Sequence, residues 1–236
     1  MKSRSMQVAL IVLFALAFSS CWPKKAIVQF SKPEGNSFMK GSYRESIKNP
    51  GQISVLLRVP YTPSKASEVS VSSFNSLFST IETELSKNGF SVRDRQIFNE
   101  LISTNKESMS DISRVTQTDL IIEVVDLDIG VKYTTDNFLN AHSRKKVFLK
   151  NGSIKMTGAR IGFKIYAIKS NELISYQEFN YAPCEEGCKL KVDKDGTVYS
   201  YKNGKYIRAK NYQTIEKDQF EEFSKIVAKN LINKLK

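Results

Sequence analysis

Three cysteines and one histidine are the first residues to weigh for chemistry in this chain of 236 residues. Cys21 ends an N-terminal apolar run. Cys184 and Cys188 sit with three residues between them in PCEEGC, and His142 lies in the polar stretch NAHSRKK. A structural zinc ion usually takes four ligands, so two cysteines and one histidine do not make a site. The CxxxC spacing also differs from a redox CxxC. In an oxidising compartment Cys184 and Cys188 are expected to form a disulfide across a short loop. His142 is expected on the surface, not as a general base. Asp126 and Asp128 in VVDLDIG share a face at a strand end, but no third ligand or acid lies near in sequence, so a solvated terminus is expected. VDKDG (192–196) opens like a calcium loop, yet the twelfth position from Asp193 is Gly204 and not the required Glu, so it reads as a turn. No G-x-S-x-G elbow, Walker loop or dinucleotide glycine pattern is found. The chain is therefore read as no enzyme, with no catalytic, cofactor-binding or metal-binding residue assigned.

The remaining cysteine carries a different chemistry. Lys2 and Arg4 begin the chain, Met6 to Phe18 is almost wholly apolar, and Ser19 and Ser20 lead into Cys21. That run is shorter than the roughly 20 residues of a spanning helix. It fits a signal segment with small residues at its cleavage site. Residues 1–20 are thus expected to be a lipoprotein signal peptide, and Cys21 the acylated first residue of the mature chain. Each buried CH₂ of its acyl (palmitate-type) chains contributes about 0.8 kcal/mol of anchoring. A secretory signal that happens to contain a cysteine, or an N-terminal membrane anchor, is the plainer alternative. Trp22 follows, not Asp, so nothing argues for retention at the inner membrane. The expected location is the bacterial envelope, lipid-anchored at the outer membrane and facing the periplasm.

The formal charge is +12. Removing Lys2 and Arg4 leaves 12 − 2 = +10 on the mature chain. An exported basic protein meets anionic lipid, lipopolysaccharide or peptidoglycan before nucleic acid, so no nucleic-acid partner is expected. Scattered solvated lysines such as Lys24, Lys25, Lys145 and Lys146 are the plain alternative. One segment concentrates candidate contacts. In TVYSYKNGKYIRAK, an Asn203-Gly204 turn places Tyr199, Tyr201, Tyr206, Arg208 and Lys210 on one face. Tyrosine and arginine together typify binding hot spots, and they are equally ordinary on an exposed hairpin. Arg93, Asp94 and Arg95 read as an ion-paired strand end before a helix cap.

These residues need elements to hold them. Residues 21–52 carry Pro, Gly, Ser and Lys and read as a lipidated flexible tether. One domain is then expected over 53–236. It starts with a strand at 53–61 and an amphipathic helix at about 71–88, with Phe74, Leu77, Phe78, Ile81 and Leu85 at helical spacing and Gly89 at the cap. A strand at 90–95 and short helices at about 96–105 and from Ser108 follow. DLIIEVVDLDIGVKY (119–133) suits a central strand buried on both faces. Residues 134–150 read as irregular, and 153–181 as two long strands turning at Ser170-Asn171. A β-meander inserted at 184–212 turns at Asp195-Gly196 and Asn203-Gly204. The last helix, about 214–235, is capped by Thr214 and buries Phe220, Phe223, Val227, Leu231 and Leu235.

The block from Ser73 to Tyr181 resembles the periplasmic domain of curli-export lipoproteins (CsgG-like), of penicillin-binding-protein activator lipoproteins (LpoB-like) and of the N-terminal domain of TolB. The resemblance rests on GFSVRDRQIFNELI after a helix, then TQTDLIIEVVDLD, then the strand pair GARIGFKIYAIKSNELISYQEFN and a final helix. It covers about half the chain. It implies an α/β fold, a mixed-sheet sandwich with helices packed on it, here carrying the inserted meander and the C-terminal helix. It also implies work by protein–protein contact, as an assembly or regulatory factor for an envelope complex with an envelope protein as partner. A subunit of a curli-type outer-membrane secretion pore is the alternative. Against it, 134–152 is too polar and 184–212 too lysine-rich for barrel strands of roughly 9–11 alternating residues. Homo-oligomerisation stays open, and no cofactor is implied. An envelope hydrolase with unrecognised residues is a third reading.

Overall fold

The computed structural model describes residues 24–44, 47, 49–58, 68–95, 116–141, 144–148, 153–193, 197–202, 205–208 and 215–236. The expected signal peptide, Cys21, the helices at 96–105 and from Ser108, His142, both Asx-Gly turns, Lys210 and Thr214 lie outside these residues. The fold is mixed α/β and mostly strand. In chain order it runs β1 (Lys24–Val28), β2 (Ser37–Met39), a helical turn (Gly41–Arg44), a 3-10 turn (Pro50–Gln52), β3 (Ser54–Arg58), α1 (Glu68–Lys87), β4 (Ser91–Val92) and β5 (Leu120–Thr135). Then come β6 (Asn137–Asn140), β7 (Lys146–Phe148), β8 (Ile154–Ala167), β9 (Glu172–Tyr181), β10 (Cys188–Val192), β11 (Val198–Lys202), β12 (Lys205–Arg208) and α2 (Lys217–Leu235).

The single domain expected from residue 53 is instead two compact units. One, the strand unit, takes Met1–Ser31, Tyr133–Met156 and Pro183–Asn211. The other, the helical unit, takes Lys32–Lys132, Thr157–Ala182 and Tyr212–Lys236.

The helical unit is a six-stranded mixed sheet in the order β2-β9-β8-β5-β3-β4. β3 pairs in parallel with β4 and β5, and β9 pairs antiparallel with β8 and β2. The apolar run LIIEVV does form an interior strand, with Leu120, Ile121, Ile122 and Val124 buried. Alternation turns Val55, Leu57, Ile122, Val124, Ile161, Phe163 and Ile165 to one face. There they meet Leu77, Phe78, Ile81 and Leu85 of α1 and Phe220, Phe223, Val227, Leu231 and Leu235 of α2, the two stripes expected at helical spacing. α1 stops for a readable reason. Gly89 adopts φ +89°, the Gly89 N–H donates to Ser86 O, and the Phe90 N–H donates back to Leu85 O. That pair of bonds is the Schellman cap that favours glycine, and buried Phe90 closes it. At the start of α2 the cap differs from expectation: Glu216 holds the position, in extended backbone and without a side-chain cap bond. Asp218 in the first turn and Lys234 in the last complement the helix dipole.

The strand unit is a six-stranded sheet in the order β12-β11-β10-β1-β6-β7, antiparallel at each of its five pairings. The segment expected as a flexible tether differs here. β1 lies at the centre of this sheet between β10 and β6, with Ala26, Val28 and Phe30 buried, and β2 forms an edge of the helical unit's sheet. The physical reason is a period of two in KKAIVQF, where Ala26, Val28 and Phe30 alternate with Lys25, Ile27 and Gln29. Residues 134–150, expected to be irregular, include the short strands β6 and β7, and Phe138 is buried. Cys184 and Cys188 are joined, with Sγ–Sγ 2.15 Å and Cα–Cα 5.1 Å. Gly187 in that loop has φ +90°, and a Cβ there would meet Ile27 Cγ2 at 3.0 Å, so the loop packs on β1 only because this residue is glycine.

Candidate functional site

Each unit has a second sheet face that carries exposed residues, and the faces differ in chemistry; in the helical unit Leu56, Ile121 and Ile168 form a small buried cluster on that side. In the strand unit, register builds the face. Lys25 pairs with Lys191, Lys191 with Tyr199, and Tyr199 with Arg208, which makes one row across β1, β10, β11 and β12. Lys189 pairs with Ile27, Ile27 with Leu139, and Leu139 with Lys146, which makes a second row across β10, β1, β6 and β7. Residues directly opposite one another point to the same side of a sheet. The intervening residues Ala26, Val28, Phe138, Val192 and Val198 are buried on the other side. Lys25, Lys146, Lys189 and Arg208 are exposed, and Tyr206 is 40% exposed.

Two tyrosine rings flank one ammonium. Lys191 Nζ lies 4.6 Å from the Tyr206 ring centre and 5.8 Å from that of Tyr199. Such contacts hold a cation at the surface without neutralising it. The Tyr199 hydroxyl donates to Asp193 Oδ2 at 2.8 Å. Tyr199, Tyr206 and Arg208 share one face, and Tyr201 occupies the register position opposite Tyr206. The sequence singled out this hairpin but not Lys25, Lys146, Lys189 and Lys191, which β1, β7 and β10 add to it. Among the described residues none of Lys25, Lys146, Lys189, Lys191 and Arg208 forms an ion pair. A cavity of about 820 Å³ within this unit is lined by Ile27, Leu139 and Lys146 of the face and by Tyr133, Asp136 and Phe138.

The helical unit's corresponding face carries its arginines in ion pairs. Phe38 pairs with Tyr176, and Tyr176 with Lys164. The Tyr176 ring leans over Gly162, whose missing Cβ would stand 3.2 Å from the tyrosine hydroxyl and 3.6 Å from Val125 Cγ2. The result is a band Phe38–Tyr176–Gly162–Val125 across β2, β9, β8 and β5, with Phe38 47% and Val125 37% exposed. Ion pairs border it: Arg160 Nε to Asp126 Oδ2 at 2.8 Å and Arg58 Nε to Glu123 Oε1 at 3.6 Å. Burial, reinforced by the charge of Glu178, pushes the Tyr176 hydroxyl above the usual tyrosine range. Burial and Glu123 do the same to Tyr166. Both stay neutral donors at neutral pH. No sequence pattern pointed to this band.

The other candidates resolve into structure. Asp126 serves Arg160, and Asp128 Oδ1 accepts from the Gly130 N–H at 2.8 Å. Asp193 N–H donates to Thr197 O across the expected turn. The Arg95 guanidinium stacks over Phe78 at 5.0 Å and lies 3.8 Å from Glu82. Among the described residues no group of three or more His, Cys, Asp or Glu could hold a metal ion. No helix among them is long and apolar enough to cross a membrane.

No protein-family model and no curated protein matches this chain. Among solved structures, it is similar to a neuraminyllactose-binding hemagglutinin homologue from Helicobacter pylori. Identity there is 14%, with 79% of this chain and 86% of that chain covered and a TM-score of 0.42. It is also similar to a PDZ domain protein from Parabacteroides distasonis, at 13% identity, 74% and 36% coverage and a TM-score of 0.29. At these scores neither likeness carries an argument about fold or function.

Proposed function

We propose that this chain is a lipid-anchored protein of the bacterial envelope, held by acylated Cys21 at the outer membrane and facing the periplasm. It serves an envelope complex as an assembly or regulatory factor, by protein contact and not by catalysis. The helical unit is the module proposed to share the α/β sandwich of the curli-export, penicillin-binding-protein activator and TolB N-terminal proteins. One observation carries the contact reading: the Phe38–Tyr176–Gly162–Val125 band. It is apolar and aromatic at its centre, with the Arg58–Glu123 and Arg160–Asp126 ion pairs beside it. Covering that centre removes apolar area from water, and the two arginines keep their counter-charges as it is covered. The accessory role is favoured over the pore because β6 and β7 are four and three residues long, against roughly 9–11 for a spanning strand.

Crosslinking in native membranes followed by affinity recovery tests this. The doubly substituted chain F38E/V125E should lose an envelope protein that the unsubstituted chain recovers, while its unfolding transition stays in place. An unchanged set of recovered proteins would contradict the reading.

A further inference from the structure

The strand unit's face, by contrast, has unbalanced charge, and it lies beside the proposed anchor. We propose that this face, which carries Lys25, Lys189, Lys191 and Arg208, rests on the anionic headgroups of the membrane that holds Cys21. The inference rests on the lipid-anchor reading and names what the hairpin residues meet.

Chain length is the first support. Cys21 precedes Lys24, the first residue of β1, by three residues. A chain extends at most 3.6 Å per residue, so the acylated residue stands within about 11 Å of β1. A leash of some thirty residues would let the unit roam, whereas this one keeps β1 at headgroup depth. Charge is the second support. Asp193, just past the end of β10, accepts from the Tyr199 hydroxyl and is one acid set against four cations. Glu185 and Glu186 lie on the disulfide loop, which packs on β1 at Ile27, and the Gln29 amide donates to Glu185 O there. The cations between are not neutralised by ion pairs among the described residues, and an anionic surface supplies what they lack. Residue type is the third. Tyrosine is enriched where one end of a side chain is apolar and the other wet, and lysine stems lie along apolar surface with the ammonium among phosphates. Ile27 and Leu139 between the lysines supply that apolar surface, Ile27 in part under Gly187 of the disulfide loop. A lipid chain plus a basic patch is also the combination that makes anchoring stable.

The test uses the full chain, made in cells with its own signal and reconstituted in vesicles of phosphatidylcholine alone or phosphatidylcholine with phosphatidylglycerol. Lysine acetylation is read residue by resident peptide in a mass-spectrometric digest, which also weighs the Cys21 peptide. Acetylation of Lys25, Lys189 and Lys191 should fall roughly fivefold in the anionic vesicles, the scale of one cation binding such a surface, and recover at high salt. Lys217 and Lys229 of α2 should change far less. Equal rates in the two vesicle types, with Cys21 lipidated, would overturn the proposal. So would protection seen only in native membranes, which would assign the face to an acidic protein. An unmodified Cys21 together with protection on anionic vesicles would remove the anchor reading and leave the lipid-binding face standing.

Discussion

Both units present an open sheet face, and they handle charge in opposite ways. In the helical unit each arginine of the face has a carboxylate: Arg58 with Glu123 and Arg160 with Asp126. In the strand unit, four lysines and an arginine gather without such partners among the described residues, and two tyrosine rings flank the central ammonium. The units differ below the surface too. One packs long strands under two helices around Phe78, Phe163 and Phe220. The other relies on short strands, a few buried side chains and a disulfide. A deep core supports a face that can be mostly apolar. A shallow one keeps its solubility through charge, and that charge then selects what the face can meet.

The comparison breaks most readily in the helical core. Phe163 is fully buried and meets Phe179 edge-on at 5.9 Å. Phe163→Ala should destabilise the helical unit by about 3–5 kcal/mol, read by urea unfolding. A loss under 1 kcal/mol would mean that this core is not the load on which the unit rests. In the strand unit, replacing Cys184 and Cys188 together with Ser should cost about 2 kcal/mol, the chain-entropy value for a five-residue loop. Amide exchange should quicken in β1 and β10 while β8 and β9 hold. Uniform quickening would show that the units do not open separately.

A third substitution sharpens the contrast through pH. Burial works against the charge on Asp119, but the Ser54 N–H at 3.0 Å, the Ser54 hydroxyl at 2.8 Å and the Lys169 ammonium outweigh it and hold the carboxyl below the usual range. A folded value below the unfolded one gives stability that is full above the unfolded value, about 3.9, and lost as pH falls through the folded value. Asp119→Asn should therefore cost about 1–2 kcal/mol at pH 7 and flatten the acid limb of the unfolding curve. An acid limb as steep as the parent's would clear Asp119 of that role. The smallest effect belongs to the basic face. Reversing Lys25 and Lys189 to Glu should move unfolding by no more than about 0.5 kcal/mol, because exposed side chains contribute little. A large shift would mean that they hold the fold and do not serve contact.

What could be read from the chain follows the range of each signal. α1, α2 and β5 were legible because their apolar spacing is local: Leu77, Phe78, Ile81 and Leu85 repeat within one segment, and LIIEVV is one run. β1 was hidden because two lysines and the Pro, Gly and Ser that follow outweighed the alternation of Ala26, Val28 and Phe30. β6 and β7 were hidden by their polar residues. The hairpin face was legible as far as an Asn-Gly turn reaches, from Tyr199 to Arg208. Its lysines were not, because Lys25 meets Lys191 across a separation that only the sheet closes. The band in the helical unit was beyond reach for the same reason, since Phe38, Val125, Gly162 and Tyr176 come from four strands.

The contrast between the two faces is tested most directly by a benzophenone side chain placed at Tyr206 in one version of the chain and at Val125 in another, each irradiated in living cells. Phospholipid adducts are expected at position 206 and protein adducts at position 125. Protein adducts at 206 with lipid at 125 would contradict it.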